Sequence, residues 1–368
     1  MVEIYIDFDD VIMDTSSVLF SKWDKIPFSR LFSEDLKIKY IKLAKWEELI
    51  KKSDNVMVMG HMNGDIDSIG SSLGIYRLAK TFEKEAYIVN NTYGLTLANF
   101  IVTLKQEGYK DVILDKTEAM NKITPNTLLV IVDTHKRSYV EVPELLEKTE
   151  KIVIIDHHRK SEDFIENAIL TFHEAYASSA SELVTEIVEY ATQEVTLEQI
   201  EAESLYAGIM MDTKNFTFKT GVRTFEAAAY LRKYGIDIIK VKKWFQSDLE
   251  SYTVIAEIVK NAEIINDSIG ISVYEEKDKN ANLICAKAAD ELLTISNISA
   301  SFVLGRMGDK VCISGRSIGD INVQVILEKL GGGGHITLAG AQVEGMTLEE
   351  AKTELIIRIN EYFAENNF

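Results

Sequence analysis

The chain has 368 residues, which is enough for two domains of ordinary size, and 46% of them are hydrophobic. Its 58 acidic and 40 basic residues give a formal net charge of −18, so it is not expected to coat long duplex nucleic acid. The two cysteines, Cys285 and Cys312, cannot form a disulfide framework and favour a reducing compartment. With no apolar run of bilayer length and no secretory signal, the sequence predicts a cytoplasmic protein without a membrane segment.

Apolar strands alternate with amphipathic helices over residues 55–211. Short apolar runs predict strands at residues 56–59, 128–132 and 152–155. Helical spacing of apolar residues predicts helices over residues 66–81, 181–190 and 197–211. This alternation is typical of a mainly parallel sheet covered on both faces, and in such sheets ligands bind beyond the carboxyl ends of the strands.

The remainder of the chain has a different texture. A polar stretch at residues 214–220 places Phe216 and Phe218 at alternate positions of a short strand, where they are typical of packing although a nucleobase could stack on them. Helices follow to about residue 262, and then come strands near residues 270–274, 299–306 and 311–314. The glycine run at residues 331–334 follows one helix and precedes another strand, and a last helix is predicted over residues 348–363.

These patterns predict an α/β protein with four segments. Residues 1–40 are unassigned, and residues 41–213 form a parallel-sheet domain. Residues 214–262 form a helical linker, and residues 263–368 form a smaller α+β domain.

The N-terminal segment has a motif of its own. Residues 4–15 resemble the nucleophile motif of haloacid-dehalogenase-like phosphatases, with Asp7 and Asp9 in the matching positions. Such an enzyme needs a complete domain and later motifs, whereas the next predicted domain begins near residue 41. We therefore interpret this segment as an appendage without catalysis.

Four polar clusters follow predicted strands or close a helix. They are residues 60–68, which contain His61, Asp65 and Asp67; Asp133-Thr134-His135; Asp156-His157-His158; and Met211-Asp212-Thr213. A single Asp after a strand is typically a helix cap or a turn residue. Because parallel strands end at one edge of a sheet, we expect these clusters to bring carboxylates and imidazoles close together.

Carboxylates held this close repel one another, and divalent cations remove that repulsion. Mixed carboxylate and imidazole ligands without cysteine suit Mn²⁺, with Fe, Co and Zn as alternatives. Asp65 and Asp67 are two residues apart on a turn, so they can point toward different ions. This ligand set is typical of a two-metal hydrolase, in which ions roughly 3.5–4 Å apart activate water and clamp a phosphoryl group.

The ordered motifs resemble those of a known family. Asp156-His157-His158, preceded by His61-x3-Asp65-x-Asp67 and Asp133, is similar to the DHH superfamily of phosphoesterases. The run Gly331-Gly332-Gly333-Gly334-His335 resembles the signature of the DHH-associated substrate domain. The resemblance covers residues 44–363.

Details within the resemblance point to the GdpP-type cyclic-di-AMP phosphodiesterases. The stretches at residues 156–165, 176–179, 181–186 and 321–326 are similar to that subgroup. This chain departs from the subgroup by having no membrane helices and no room for the sensory and degenerate cyclase domains that usually precede the catalytic part. It also has Asn63-Gly64 where Asn-Pro is common.

The resemblance implies roles for individual residues. One metal ion would be held by His61, Asp65 and Asp133. The second would be held by Asp67, Asp133, His157 and Asp212, with Asp133 bridging. His158 would meet a phosphate oxygen or orient a ligand, and the substrate domain would bind nucleotide through Arg316, Gly331, Gly332, Gly333, Gly334 and His335. The role of His135 is left open. His173 is expected to be a surface or packing residue, and a surface salt bridge is the alternative for Arg316.

The function implied is two-metal hydrolysis of cyclic-di-AMP to linear pApA, with Mn²⁺ as the preferred cofactor and Asp133, His157 and His158 as catalytic residues. An oligoribonuclease and 3′,5′-bisphosphate nucleotide phosphatase of the same superfamily is the nearest alternative. A non-catalytic nucleotide-binding regulator and an inorganic pyrophosphatase fit the motifs less well. The expected partner is a cyclic dinucleotide or short oligonucleotide, and homodimerisation is left open.

Overall fold

The computed structural model describes residues 45–91, 95–246, 248–278 and 280–366. The predicted N-terminal appendage, with Asp7 and Asp9, lies outside the described residues. The chain divides into two compact units between Phe245 and Gln246. Within the described ranges, no helix is both long and apolar enough to cross a bilayer.

The first unit is built on a six-stranded sheet in the order β3-β2-β1-β4-β5-β6. Its strands are β1 (Asn55–Met59), β2 (Glu85–Val89), β3 (Ile113–Leu114), β4 (Leu128–Val132), β5 (Ile152–Asp156) and β6 (Leu170–His173). All neighbouring strands pair in parallel. The central strands β4 and β5 are buried along their whole length, as expected when both faces of a parallel sheet are covered. The predicted parallel-sheet fold is confirmed.

Helices cover both faces of this sheet. They are α1 (45–51), α2 (Ile66–Thr81), α3 (Leu95–Leu104), α4 (Lys116–Lys122), α5 (Ala180–Glu189), α6 (Gln199–Asp212), α7 (Val222–Arg232) and α8 (Ile238–Trp244). Helices α2, α5 and α6 pack together on one face around Leu73, Val184 and Leu205. Short 3₁₀ turns and α4 cover the other face through Leu145 and Ala119. The three helices predicted in this region are present with ends within two residues of the expected positions.

The segment after α6 differs from the prediction. Residues 214–219 form a turn rather than a short strand, because Lys214, Asn215 and Phe216 have left-handed φ values of 46°, 56° and 61°. The N–H groups of Thr217 and Phe218 both donate to the Thr213 carbonyl, which folds the chain back on the end of α6. Phe216 packs there against the Tyr206 ring, with the two ring centroids 5.7 Å apart.

The helices of the predicted linker are shared between the two units. Leu231 of α7 and Val241 of α8 belong to the core of the first unit. Helix α9 (Leu249–Lys260) instead contributes Ile255 and Ile258 to a core of the second unit. The predicted linker boundaries at residues 214 and 262 remain predictions.

The second unit has a six-stranded mixed sheet in the order β11-β12-β10-β9-β8-β7. Its strands are β7 (Glu263–Ile265), β8 (Ile269–Lys277), β9 (Ala300–Met307), β10 (Lys310–Ser317), β11 (Gly333–His335) and β12 (Leu338–Glu344). Helices α11 (Val323–Glu328) and α12 (Leu348–Asn366) pack on one face, and α9 and α10 (Ala281–Leu292) pack on the other. Cys285 and Cys312 are free thiols buried in the core between the sheet and helices α9 and α10, which matches the expected packing role of Cys312.

The glycine run does not simply precede a strand, because Gly333 and Gly334 are themselves residues of β11. Gly331 ends α11 with a left-handed φ of 74°. A Cβ atom at residue 332 would lie 2.3 Å from the Gly340 carbonyl oxygen, and one at residue 334 would lie 2.4 Å from the Leu338 carbonyl oxygen. Close strand packing and helix termination therefore account for three of the four glycines.

Candidate active site

The predicted clusters of the first unit meet at one edge of its sheet. Strands β1, β4 and β5 are neighbours and parallel, so the residues that follow them share this edge. Helix α6 ends beside them at Asp212. Among the described residues, four sets of side chains have ligand atoms close enough together to hold a metal ion. Two of them contain the predicted ligands: His61, Asp65 and Asp133; and Asp67, His157 and Asp212. The other two are Asp133, His157 and His158; and His135, Asp156 and His173.

The first set is centred on His61. Its Nε2 atom lies 3.4 Å from Asp133 Oδ2 and 3.9 Å from Asp65 Oδ2. The other ring nitrogen, Nδ1, donates to the Met62 carbonyl at 2.8 Å, which leaves Nε2 as the atom that faces the carboxylates. The ring of Tyr139 stacks on the imidazole with 5.2 Å between centroids, so the orientation of His61 is held from two sides.

The second set is centred on His157, whose side chain is buried. Its Nε2 atom lies 3.0 Å from Asp212 Oδ2, 3.4 Å from Asp133 Oδ1 and 4.0 Å from Asp67 Oδ2. Asp133 thus directs one carboxylate oxygen toward each set. Its backbone has a left-handed φ of 59°, an uncommon conformation outside glycine that is frequent at functional sites.

The acidic groups of this edge repel one another. Burial, together with the charges of Asp133 and Asp212, raises the pKa of Asp65 to about 7 and raises the pKa of Asp67 as well. Burial opposes the charged form of His61, but its contact with Asp133 and the charge of Asp65 outweigh that effect and raise its pKa to about 9. The histidines thus act as partial counter-charges for a surplus of carboxylates.

The residues fit divalent cations. Asp133 Oδ1 and both ring nitrogens of His157 are buried, yet within the described chain none of them makes a well-directed hydrogen bond. A buried carboxylate oxygen and a buried imidazole are costly without partners. Cations at the two sets would satisfy these atoms and neutralise the carboxylates. The mixed oxygen and nitrogen donors, with no thiolate among them, suit divalent metal ions that accept both carboxylate and imidazole ligands.

The first residue of the Asp156-His157-His158 triplet belongs to neither of the two sets that contain the predicted ligands. Asp156 is buried and accepts hydrogen bonds from the backbone N–H of His158 at 3.1 Å and from His158 Nδ1 at 2.8 Å. Its second oxygen accepts from His135 Nδ1. The Ser161 backbone N–H donates to His135 Nε2 at 3.0 Å, which places the proton of a neutral His135 ring on Nδ1.

His158 is therefore held by Asp156 while its own ring stays open to solvent. Its side chain is 49% exposed, in contrast to the buried His157. His173 lies behind this pair, where its Nε2 meets the His158 carbonyl oxygen at 2.7 Å and its ring packs edge-on against His135. His173 is half-buried, and the surface or packing role expected for it remains a prediction.

The substrate residues predicted in the second unit share one row of its sheet. Arg316 pairs with Leu338 in register, and Leu338 pairs with His335, so the three side chains point to the same face. His335 and Leu338 are exposed there. Arg316 forms a salt bridge, in which its Nε donates to Asp290 Oδ1 at 3.0 Å. The arginine of this pair is buried, unlike the surface salt bridge that the sequence left as the alternative.

Gly331 and Gly333 of the glycine run face open space. A Cβ atom at Gly333 would meet no atom within 4 Å, whereas those at Gly332 and Gly334 would clash with β12. Gly333 pairs in register with Gly340, so two residues without side chains lie next to each other on this part of the sheet. The backbone is therefore accessible beside the row that contains His335.

Sequence reasoning missed the supporting residues. Tyr139 follows the Asp133-Thr134-His135 motif after a short gap, and its stacking on His61 could have been suspected only from an aromatic residue near a ligand motif. The double hydrogen bonding of Asp156 has no sequence signal, because Asp156 stands in the triplet like a ligand.

A parallel α/β domain with two His–Asp sets at one sheet edge, followed by a mixed-sheet domain, defines the class of this protein. The model of the DHH family, N-terminal domain, matches residues 55–209, and that of the DHHA1 domain matches residues 266–365. The chain therefore carries a DHH domain and a DHHA1 domain, as the motifs predicted.

Curated relatives include the cyclic-di-AMP phosphodiesterase GdpP of Geobacillus thermodenitrificans, which is 42% identical over 86% of this chain. PdeA of Listeria monocytogenes, also named a cyclic-di-AMP phosphodiesterase, is 43% identical over 86% of this chain. This chain spans 49% of the length of each, about half of the relatives that it matches. The bifunctional oligoribonuclease and PAP phosphatase NrnA of Thermus thermophilus is 28% identical over 83% of this chain and 89% of its own length.

Among solved structures, an exopolyphosphatase-related protein from Bacteroides fragilis superposes with a TM-score of 0.74 and 20% identity. The match covers 87% of this chain and 96% of that protein. RecJ of Thermus thermophilus, solved in complex with Mn²⁺, matches with a TM-score of 0.51 and 14% identity over 97% of this chain and 60% of its own. At these identities the likeness establishes the fold.

Proposed function

We propose that this chain is a phosphodiesterase that hydrolyses cyclic-di-AMP to linear pApA with two divalent cations, preferably Mn²⁺. The observation that carries the proposal is that the two carboxylate oxygens of Asp133 face different sets. Its Oδ2 lies 3.4 Å from His61 Nε2, and its Oδ1 lies 3.4 Å from His157 Nε2. A carboxylate shared in this way is the arrangement expected of a bridging ligand in a two-metal site. The identity of 42–43% to two cyclic-di-AMP phosphodiesterases supports the choice of substrate.

The ligand assignment follows the two sets. His61, Asp65 and Asp133 would hold one cation, and Asp67, Asp133, His157 and Asp212 the other. When bound, such a pair of cations lowers the pKa of water and neutralises charge on the phosphoryl oxygens. The protein's own contribution is to fix these ligands before substrate arrives, because their orientation is held by buried neighbours.

His158 is proposed to contact the substrate directly. Asp156 holds its Nδ1, so Nε2 is the ring atom left for a ligand, and about half of the side chain is accessible. Nε2 of His158 can contact a phosphate oxygen, and the contact of Nδ1 with Asp156 fixes the orientation of the ring for it. In this proposal His158 binds and orients the phosphodiester rather than a cation.

The second unit is proposed to bind the nucleotide. His335 is exposed beside the open backbone of Gly333 and Gly340, where N–H groups can approach an anion. Arg316 lies in the same row, and its ion pair with Asp290 holds the guanidinium in a fixed orientation. We propose that this surface binds the nucleotide through Arg316, His335 and the glycine run at residues 331–334.

A second candidate is an oligoribonuclease that also removes phosphate from 3′,5′-bisphosphate nucleotides. The relative NrnA of Thermus thermophilus, which is named for these two activities, is 28% identical over 83% of this chain. The same metal ligands would serve both reactions. The two candidates differ in the nucleotide that the second unit accepts.

A turnover panel with Mn²⁺ distinguishes these functions. The substrates are cyclic-di-AMP, cyclic-di-GMP, pApA, adenosine 3′,5′-bisphosphate and pyrophosphate, each followed by separation of the products. We expect the highest kcat/KM for cyclic-di-AMP, with pApA accumulating. Preference for pApA or for the bisphosphate would favour the second candidate. Turnover of pyrophosphate alone would contradict both.

A further inference from the structure

Asp67 is held differently from the other acidic residues of the sheet edge. It lies in the first turn of α2, and its side chain is fully buried. Its Oδ2 accepts the backbone N–H of Ala180 at 2.7 Å, and its Oδ1 accepts that of Ser181 at 2.8 Å. These two residues are the first of α5, whose N-terminus therefore points at the carboxylate. Hydrogen bonds to an ionised acceptor are strong, and the helix dipole adds to them.

The third side of Asp67 is bounded by α6. Gly208 faces it so closely that a Cβ atom there would lie 2.6 Å from Asp67 Oδ1, 2.9 Å from its Cα and 2.2 Å from Ser181 Oγ. Real Cβ atoms do not approach other atoms at such distances, and Asp67 Cα belongs to a backbone that cannot rotate away. Any side chain at residue 208 would have to displace Asp67, the start of α5 or both.

We propose that Ala180, Ser181 and Gly208 form a seat that fixes the Asp67 carboxylate as a ligand of the second cation, and that they are positioning residues of the metal centre. Each oxygen of Asp67 accepts one N–H from the seat, so lone pairs remain for an ion on the side of His157. The inference rests on the proposed two-metal function. It adds that this ligand is oriented by backbone groups and by the absence of a side chain.

One test removes a backbone donor without breaking the helix. Ala180 is the first residue of α5, a position that tolerates proline, and Ser179 before it is extended, as a residue before proline must be. Ala180→Pro therefore deletes the N–H that donates to Asp67 Oδ2. Leu249→Pro, at the first position of the exposed start of α9 and after the extended Asp248, is the matched control.

A second test fills the space at residue 208. Gly208→Ala places a methyl group against Asp67, whereas Gly74→Ala on α2 places one 2.5 Å from Val184 Cγ1 and near the side-chain ends of Leu205. Both changes crowd the packing of the same three helices. Only the first touches a proposed ligand, so comparison of the two separates damage to the seat from damage to the fold.

The readout is Mn²⁺ titration without substrate, by calorimetry and by electron paramagnetic resonance, together with thermal unfolding in chelator. We expect wild-type protein and both controls to bind two ions. Ala180→Pro and Gly208→Ala should bind one ion normally and the other roughly tenfold to a hundredfold more weakly, the usual effect of losing an outer-shell partner. Wild-type affinity for both ions in Ala180→Pro and Gly208→Ala would overturn the inference. So would the same weakening of Mn²⁺ binding in Gly74→Ala. Wild-type protein that binds no Mn²⁺ would contradict the proposed metal centre itself.

Discussion

The position of Asp156 leads to a prediction about His158, the third residue of the Asp156-His157-His158 triplet. In Asp156→Asn the side chain keeps its size, but one of its two oxygens becomes an NH₂ group. Asp156 accepts from His158 N–H, His158 Nδ1 and His135 Nδ1, so the new NH₂ group faces a donor whichever way it is oriented. His135 cannot accept from the new NH₂ group by moving its proton from Nδ1 to Nε2, because Ser161 N–H already donates to Nε2.

The magnitude follows from these contacts. A buried donor left without an acceptor costs about 1–3 kcal/mol, so we expect Asp156→Asn to lower the free energy of unfolding by about that amount. If His158 then loses its charge-assisted contact with phosphate, a further cost on the order of 1.5–3 kcal/mol falls on catalysis. At about 1.4 kcal/mol per decade, kcat/KM should fall roughly tenfold to more than a hundredfold.

The assay compares Asp156→Asn, His158→Ala and the double variant on cyclic-di-AMP, with Mn²⁺ content measured in parallel. Because Asp156 acts through His158 in this account, the double variant should lose little more than His158→Ala alone. Metal content should stay at the wild-type level, since Asp156 is outside the two sets that are proposed to hold the cations and its oxygens already accept from His158 and His135. Loss of Mn²⁺ from Asp156→Asn, or full additivity of the two changes, would refute the reasoning.

Four further predictions address the rest of the molecule. Asp133→Ala should abolish hydrolysis and remove bound metal, because one carboxylate faces both sets; full metal content with normal turnover would contradict the bridging role. Deleting residues 1–32 should leave kcat/KM for cyclic-di-AMP unchanged, and an inactive but folded product would show that the appendage matters. Arg316→Ala and His335→Ala should keep their Mn²⁺, while kcat/KM falls roughly tenfold or more on cyclic-di-AMP and less on a generic small phosphodiester. Equal losses on both substrates would mean that Arg316 and His335 act in the catalytic centre or in folding rather than in nucleotide binding. In chelator, Tm should fall as the pH rises from 6.5 toward 9, because protonated His61, whose pKa is raised to about 9, stabilises the fold and loses its proton over this range. Added Mn²⁺ should raise Tm by more at the higher pH. A Tm that rises over this range would argue against the raised pKa of His61.

The sequence by itself determined the elements and the inventory of ligands. Apolar runs of strand length and helical periodicity depend on local spacing, so β4, β5 and α2 could be predicted almost to the residue. The same spacing marked His61, Asp133 and the Asp156-His157-His158 triplet, because each follows directly after a strand.

Only the tertiary structure decided what these residues do to one another. Strand order made β1, β4 and β5 neighbours, and with it directed one oxygen of Asp133 to each set. Tertiary packing also directs Asp156 toward His135 and pairs Arg316 with Asp290. Both contacts join residues that are far apart in the chain. The left-handed turn after α6 was not predicted for the same reason. Asn215 adopts such a φ readily, but Lys214 and Phe216 rarely do, and Phe216 packs against Tyr206 at this turn. Local pattern specifies which side chains are available, and long-range packing specifies which atoms meet.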